Sequence, residues 1–256
     1  MAKKNEYNNE SIRLLKDEER VREKPAVIFG SDGLDGCEHA VFEIVSNSVD
    51  EAREGYGNKI IVTRFDDNSV EVQDFGRGLP VDFNTKENRY NWELLFCELY
   101  AGSKYDNNDG NNYQFSLGTN GLGLCATQYA SEYMEAEVHA GGYRYLLNFK
   151  KGKPVGNMLK EEYTKKDTGT RIKWKPDLDV FTEIDISDDY YKDMLKHQAV
   201  VNAGIHFIYK NQKGKNFETT EFYYDNGILD YVNERVGIDS LTAPQLWKQE
   251  TKCRDR

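Results

Sequence analysis

The chain has little of what would bind nucleic acid, cross a membrane or cross-link a small fold. Cysteine occurs 4 times in 256 residues. Cys37, Cys97, Cys125 and Cys253 are far apart, form no CxxC pair and have no histidine at metal-ligand spacing. They read as free thiols of a reducing compartment. Positive charge is in deficit: 34 Lys and Arg stand against 44 Asp and Glu, a net charge of −10. Phosphate neutralisation needs clustered cations, so a grip on DNA, RNA or an anionic membrane surface is disfavoured. No run approaches the roughly 20 apolar residues of a membrane-spanning helix. The first ten residues, MAKKNEYNNE, lack the apolar core of a signal peptide. The expected location is cytoplasmic, with no membrane partner.

What is present is a globular composition: 38% hydrophobic, 12% aromatic and 30% charged residues. The chain is long enough for one large or two modest domains with a real core. The charge is uneven. Residues 31–120 hold 17 acidic and 7 basic side chains, whereas the flanking segments are nearly neutral. Any function has to account for that stretch.

Periodicity outlines the elements. Pro25 ends any helix in the charged stretch SIRLLKDEERVREKPAVIFG. An amphipathic helix is predicted from about Glu38 to Arg53, with Ala40, Val41, Ile44, Val45, Ser48, Val49 and Ala52 on its buried side and Gly55 and Gly57 stopping it. Lys59–Phe65 and Ser69–Asp74 read as a hairpin across Asp66–Asp67–Asn68. Helices are predicted at Asn91–Tyr100, Gly121–Ser131 and Asp188–Val200. Strands are predicted at Tyr133–His139, Tyr143–Phe149, Thr170–Trp174, Gly204–Tyr209 and Glu218–Tyr224. The polar stretch 102–120, GSKYDNNDGNNYQFSLGTN, is a loop of a length that usually carries function.

Four segments carry chemistry. On the first long helix, Glu43, Asn47, Asp50 and Glu51 share one face. Alone this is an ordinary solvated face; functionally it offers a carboxylate to activate water and an amide oxygen for Mg²⁺. Asp74–Phe75–Gly76–Arg77–Gly78–Leu79–Pro80 follows a strand. It is either a glycine-bearing turn or a close backbone approach that places an acceptor, Asp74, against an exocyclic amine such as that of adenine. Gly118–Thr119–Asn120–Gly121–Leu122–Gly123 opens a helix and exposes N–H groups to anions, without the GK[ST] of a Walker motif or the βαβ context of a dinucleotide fingerprint. Asp167–Thr168–Gly169–Thr170 precedes a strand, where a hairpin turn is the default.

In this order and spacing, the segments resemble the GHKL ATPase superfamily. Within it, SIRLLKDEERVREKPAVIFGS, FEIVSNSVDEA, VEVQDFGRGLPV and AGSKYD are similar to the ATPase domain of B-type subunits of bacterial type IIA topoisomerases, the gyrase B and topoisomerase IV B class, over about residues 7–225. The resemblance implies an α+β fold of Bergerat type: a two-layer sandwich with a mixed, mainly antiparallel sheet and helices on one face. It implies an N-terminal arm at 1–30, an ATP-binding domain at 31–225 and the start of a truncated transducer segment at 226–256. Its ligands would be ATP and Mg²⁺. Its partners would be a second copy through the arm, where Tyr7 and Ile12 match partner-engaging positions, and an A-type subunit and DNA through domains absent from this chain. A MutL-like repair ATPase lacks the arm, and a nucleotide-binding regulatory module without turnover has no need of Glu43.

Residue by residue, the resemblance implies Glu43 as general base, Asn47 as the Mg²⁺ contact, and Asp74 as reader of the adenine amine with Thr170. Lys104 matches a sugar–phosphate contact, Tyr113 a lid tyrosine, and Asn120, Gly121, Leu122 and Gly123 the phosphate-holding turn. Gly76, Arg77, Gly78, Leu79 and Pro80 surround the adenine pocket, with Glu51 as partner of Arg77. Val45, Leu79, Leu95 and Ile172 would form its apolar wall. The sequence departs from the family pattern at Leu117, where glycine is usual, at Asn120, where histidine is usual, and at Leu146, where many relatives carry an arginine at the pocket entrance. No QTK-like motif with the family's γ-phosphate lysine is found, so slow turnover by the isolated chain is expected. The acidic stretch 31–120 then holds the base, the adenine aspartate and the start of the lid. Such a cleft needs Mg²⁺ and backbone amides to hold a triphosphate.

Overall fold

A computed structural model describes residues 13–101, 122–237 and 241–247. Seven helices and eleven strands are found among them. The helices are α1 (Asp17–Glu23), α2 (Pro25–Phe29), α3 (Leu34–Arg53), α4 (Asn91–Cys97), α5 (Gly123–Tyr129), α6 (Asp188–Val201) and α7 (Ile228–Val236). The strands are β1 (Lys59–Arg64), β2 (Val70–Asp74), β3 (Phe83–Asn84), β4 (Arg89–Tyr90), β5 (Ser131–Ala140), β6 (Tyr143–Lys150), β7 (Lys153–Pro154), β8 (Leu159–Glu162), β9 (Gly169–Pro176), β10 (His206–Lys213) and β11 (Asn216–Phe222).

Nine strands form one sheet in the order β11-β10-β1-β2-β9-β5-β6-β7, with β8 also on β6. Only β1 and β10 run parallel; the other pairs are antiparallel. The register lines up one apolar face. Val62 lies beside Val72, Val72 beside Ile172, Ile172 beside Ala136, and Ala136 beside Leu147. Phe207 and Tyr209 extend that face through β10. The helices cover it, and the core of Trp174, Phe181, Phe96, Phe149 and Leu195 lies between the layers. The result is the expected α+β sandwich with its helices on one side.

The largest helix starts earlier than predicted, at Leu34 instead of Glu38. Gly33 takes the extended N-cap position and donates to Ser31 Oγ. Gly36 belongs inside the helix because the Ser31 carbonyl passes 2.0 Å from where its Cβ would be. Gly55, at φ +88°, ends the helix as predicted. Two other helices are shorter than their polar flanks suggested. The α4 helix stops at Cys97. The α5 helix begins at Gly123 and is over before Ser131, which opens β5. Pro25 both ends α1 and opens α2, where its missing N–H costs nothing.

The N-terminal segment from Asp17 onward is packed on the domain. Val21 is fully buried. Arg22 donates to the Tyr129 carbonyl at 2.9 Å and to Asp177 at 2.6 Å. Cys37 and Cys125 are buried free thiols, and Cys97 is a half-buried one, pushed up to about 12 by burial. Protonated thiols of this kind are inert.

The other sheet face is polar and cross-braced. Glu137 on β5 accepts from Arg144 on β6 (2.7 Å), from Arg171 on β9 (2.5 Å) and pairs with His139 (2.9 Å). Burial acts to raise its pKa, but the two arginines and His139 outweigh that and hold it at about 2, against 4.5 for a free carboxyl. A lowered pKa stabilises the fold above the unfolded value, and that stabilisation is lost as pH falls through the folded one. The window here runs from about 4.5 down to about 2. In Glu137→Gln, the fall in stability across this window should be shallower than in the wild type. Chemical denaturation at several pH values checks this, and parallel curves would refute it.

Candidate functional site

The inner face of α3 changes character along its length. Its first turns present Cys37, Ala40 and Val41 to the core. Further on, Asn47, Ser48, Asp50, Glu51 and Glu54 line a cavity of about 410 Å³ between the helix and the sheet. Ile44, Val72, Leu79, Leu124 and Ile172 supply apolar wall, and Asp74, Arg77, Gly78, Pro80 and Thr170 complete the lining. The face that alone would be solvated therefore borders the cavity; Asp50 is only 7% exposed.

Asp74 ends β2 and is the polar centre of the cavity. Its Oδ1 accepts from the amides of Gly76 (3.0 Å) and Thr170 (3.1 Å), and its Oδ2 from Ser48 Oγ (3.1 Å). Burial raises its pKa, and these three hydrogen bonds offset part of the effect. Thr170 Oγ1 accepts from the Leu79 amide at 3.0 Å, and Thr168 donates to the Gly76 carbonyl at 2.5 Å. The start of β9 thus holds the DFGRGLP turn in place. Gly169 adopts φ +145°, and the Asp74 carbonyl lies 2.3 Å from where its Cβ would be.

At the rim, Glu51 takes both Arg77 Nε (2.8 Å) and its backbone N–H (2.7 Å), and Glu54 takes Nη2 at 2.7 Å. The guanidinium lies 3.7 Å from the Tyr56 ring centroid. Glu51 fills the space a side chain on Gly76 would need, its Cγ being 2.3 Å from that Cβ position.

Glu43 lies at the first turn of α5. Its Oε2 is 1.9 Å from the position of a Cβ on Gly123, so a side chain there would displace the carboxylate. His39, one turn earlier, approaches Glu43 Oε1 with Nε2 at 3.2 Å and the Phe29 carbonyl with Nδ1 at 3.1 Å. Both partners are acceptors, so both contacts are hydrogen bonds together only when the ring carries two protons. Asn47 Nδ2 donates to the Glu43 carbonyl at 3.1 Å, which leaves Oδ1 as the atom for a cation.

Most predicted residues meet here. Asn47, Glu51, Asp74, Arg77, Gly78, Leu79, Pro80, Thr170 and Ile172 line the cavity, Gly76 donates to Asp74, and Glu43 meets Gly123, with Leu122 as the N-cap residue of α5. Lys104, Tyr113, Asn120 and Gly121 lie outside the described residues, as do Tyr7, Ile12 and Leu117. Two wall positions need correction. Val45 is wholly buried in the core, and its neighbour Ile44 faces the cavity, since one residue turns a helix by about 100°. Leu95 packs against the core from α4. Leu146 pairs with Glu137 and shares the outer sheet face, opposite the cavity. Sequence reasoning missed Ser48, Glu54 and His39. The last was legible as a histidine four residues before Glu43 on one helix face.

A nucleotide-binding sandwich of the Bergerat type is the class that this fold and cavity define. Residues 33–180 match the family described as Histidine kinase-, DNA gyrase B-, and HSP90-like ATPase. The chain is 38% identical to the B subunit of DNA gyrase from Thermotoga maritima over 226 residues, covering 88% of this chain and 35% of that protein. It is 36% identical to the B subunit of DNA topoisomerase 4 from Enterococcus faecalis over 248 residues, covering 94% and 35%. The crystal structure of the 43K ATPase domain of Thermus thermophilus gyrase B in complex with an aminocoumarin is similar at a TM-score of 0.74 and 26% identity, over 88% of this chain and 56% of that one. The chain belongs to the histidine kinase-, DNA gyrase B- and HSP90-like ATPases, as an ATPase domain homologous to the B subunits of gyrase and topoisomerase IV. It spans about a third of the length of these curated relatives.

Asp74→Asn is expected to separate binding from stability. An amide in this place keeps an acceptor for Gly76 and Thr170 and can donate to Ser48, but it is a poorer acceptor for a ligand amine. Nucleotide affinity should fall at least about tenfold. A raised carboxyl pKa is a stability cost at neutral pH that the amide removes, so the melting temperature without ligand should rise. Calorimetric titration and a thermal melt check both; unchanged affinity would refute the role of Asp74.

Proposed function

We propose that this chain is the ATP-hydrolysing module of the B-type component of a type IIA DNA topoisomerase. In this reading it couples Mg-ATP binding and hydrolysis to dimerisation of a gate and so to DNA strand passage. The observation that carries the reading is the Glu43 carboxylate at the first turn of α5, admitted by the missing side chain of Gly123. A base beside the opening turn of a helix is an arrangement suited to water attack on a terminal phosphate.

The roles divide along α3. Glu43 accepts a hydrogen bond from the attacking water and takes up its proton, and His39 fixes the carboxylate's orientation. Asp74 accepts from the adenine amine, while Ile44, Val72, Leu79 and Ile172 flank the base and exclude water. Glu51 and Glu54 hold Arg77 at the mouth. The residues fit a Mg²⁺ site of the substrate-completed kind. Asn47 has its oxygen to give, and no group of three or more His, Cys, Asp or Glu forms a cage among the described residues. When bound, Mg²⁺ would neutralise phosphate charge that this acidic segment cannot.

The partners in this reading are ATP, a second copy engaged through residues 1–30, an A-type subunit and DNA. No described helix is long and apolar enough to cross a membrane. In this reading turnover by this chain alone is slow.

Glu43→Ala should lower that turnover by about 10²-fold or more and leave binding of a non-hydrolysable ATP analogue intact. A coupled phosphate-release assay on both proteins checks this, and equal rates would overturn the assignment of the base. Light scattering should report a dimer when the analogue and Mg²⁺ are added and a monomer without them. A chain that stays monomeric while binding the analogue would count against the gate.

A further inference from the structure

We infer that Ser48 is a positioning residue that sets this site's preference for a 6-amino over a 6-oxo purine, acting through Asp74. The inference rests on the nucleotide-binding reading above. Ser48 lies one turn after Ile44 on α3, lines the cavity, and is 5% exposed. A helical serine commonly returns its hydroxyl to a carbonyl of its own helix. Ser46 does this, donating to Glu43 O at 2.9 Å. Ser48 instead donates across 26 residues to Asp74 Oδ2 at 3.1 Å.

The two oxygens of Asp74 are held differently. Oδ1 is held by two main-chain amides, Gly76 and Thr170, which no side-chain substitution removes. Oδ2 is held by Ser48, the one side-chain donor to this carboxylate among the described residues. The Cβ–Cγ torsion of an aspartate is soft. The two amides on Oδ1 oppose turning of the carboxylate about that bond, and the Ser48 hydroxyl on Oδ2 adds a third restraint. Ser48 occupies one acceptor position of Oδ2 and so sets which of its lone pairs is left for a ligand in the cavity that Asp74 lines. It also supplies one of the three hydrogen bonds that favour the ionised form against burial.

The consequence is selectivity. An ionised carboxylate only accepts. It matches an exocyclic amine and repels the oxygen of a 6-oxo base. A protonated carboxyl offers an O–H that a 6-oxo base can accept. Without the Ser48 hydroxyl the ionised, oriented acceptor loses its advantage, and the two base types become harder to tell apart.

The test is titration calorimetry of ADP and IDP, with Mg²⁺, against the wild type, Ser48→Ala and Ser48→Thr, after each variant is shown to melt cooperatively. The wild type should prefer ADP. In Ser48→Ala the ADP-to-IDP affinity ratio should fall about tenfold, the value of one hydrogen bond to a charged group. Ser48→Thr keeps the hydroxyl and should keep the ratio. In the Asp74→Asn background, Ser48→Ala should leave the ratio unmoved, because the residue through which it acts has been neutralised. A wild-type ratio in Ser48→Ala, or an equal loss of both nucleotides, would overturn the positioning role while leaving nucleotide binding standing. A wild type that binds neither nucleotide would overturn the nucleotide-binding reading itself, and this inference with it.

Discussion

A carboxylate taken out of water must be satisfied by donors, and much of this structure is arranged around that requirement at Asp74. Its three donors come from three separate pieces of chain: α3, the turn after β2, and the start of β9. One half-buried carboxylate therefore fixes the relative positions of a helix, a turn and a strand. The surrounding residue types follow. Gly169 is needed because β9 begins against the Asp74 carbonyl with a positive φ. Thr168 and Thr170 are needed because the turn has a carbonyl and an amide that must find partners. The DxGxG and GT segments, far apart in sequence, are two halves of one hydrogen-bonded joint.

A second constraint is steric. Two carboxylates of α3 occupy space that the chain elsewhere leaves open: Glu51 over Gly76, and Glu43 over Gly123. In each case the glycine makes room for an anion of the helix. This explains how an acidic segment can fold tightly. Glu51 is neutralised by Arg77, whose guanidinium is also held by Glu54 and stacked on Tyr56, whereas Glu43 meets His39 and the first turn of α5.

The fold was legible wherever one face of an element is apolar. The spacing of Ala40, Val41, Ile44, Val45 and Val49 specifies α3, and the alternation in β5, β6 and β9 specifies the sheet. Boundaries were less legible because they depend on contacts distant in sequence. Helix α3 starts at Leu34 because Thr182, about 150 residues away, ties down the Asp32 carbonyl, and no local pattern carries that. The site's polar members were legible through order and spacing, yet Ile44 and Val45 exchanged places because adjacent helix positions differ by rotation, not by residue type. Ser48 counted only as a small residue of the buried face, since its hydrogen bond is invisible without β2 beside it. Lys104, Tyr113, Asn120 and Gly121 lie outside the described residues.

Helix α5 is a strut of seven residues, about 10 Å from end to end. At its C-terminal end Arg22 grips the Tyr129 carbonyl, with Val21 sealed beneath. At its N-terminal end Gly123 bears directly on Glu43. One short helix thus has the N-terminal segment against one end and the Glu43 carboxylate against the other.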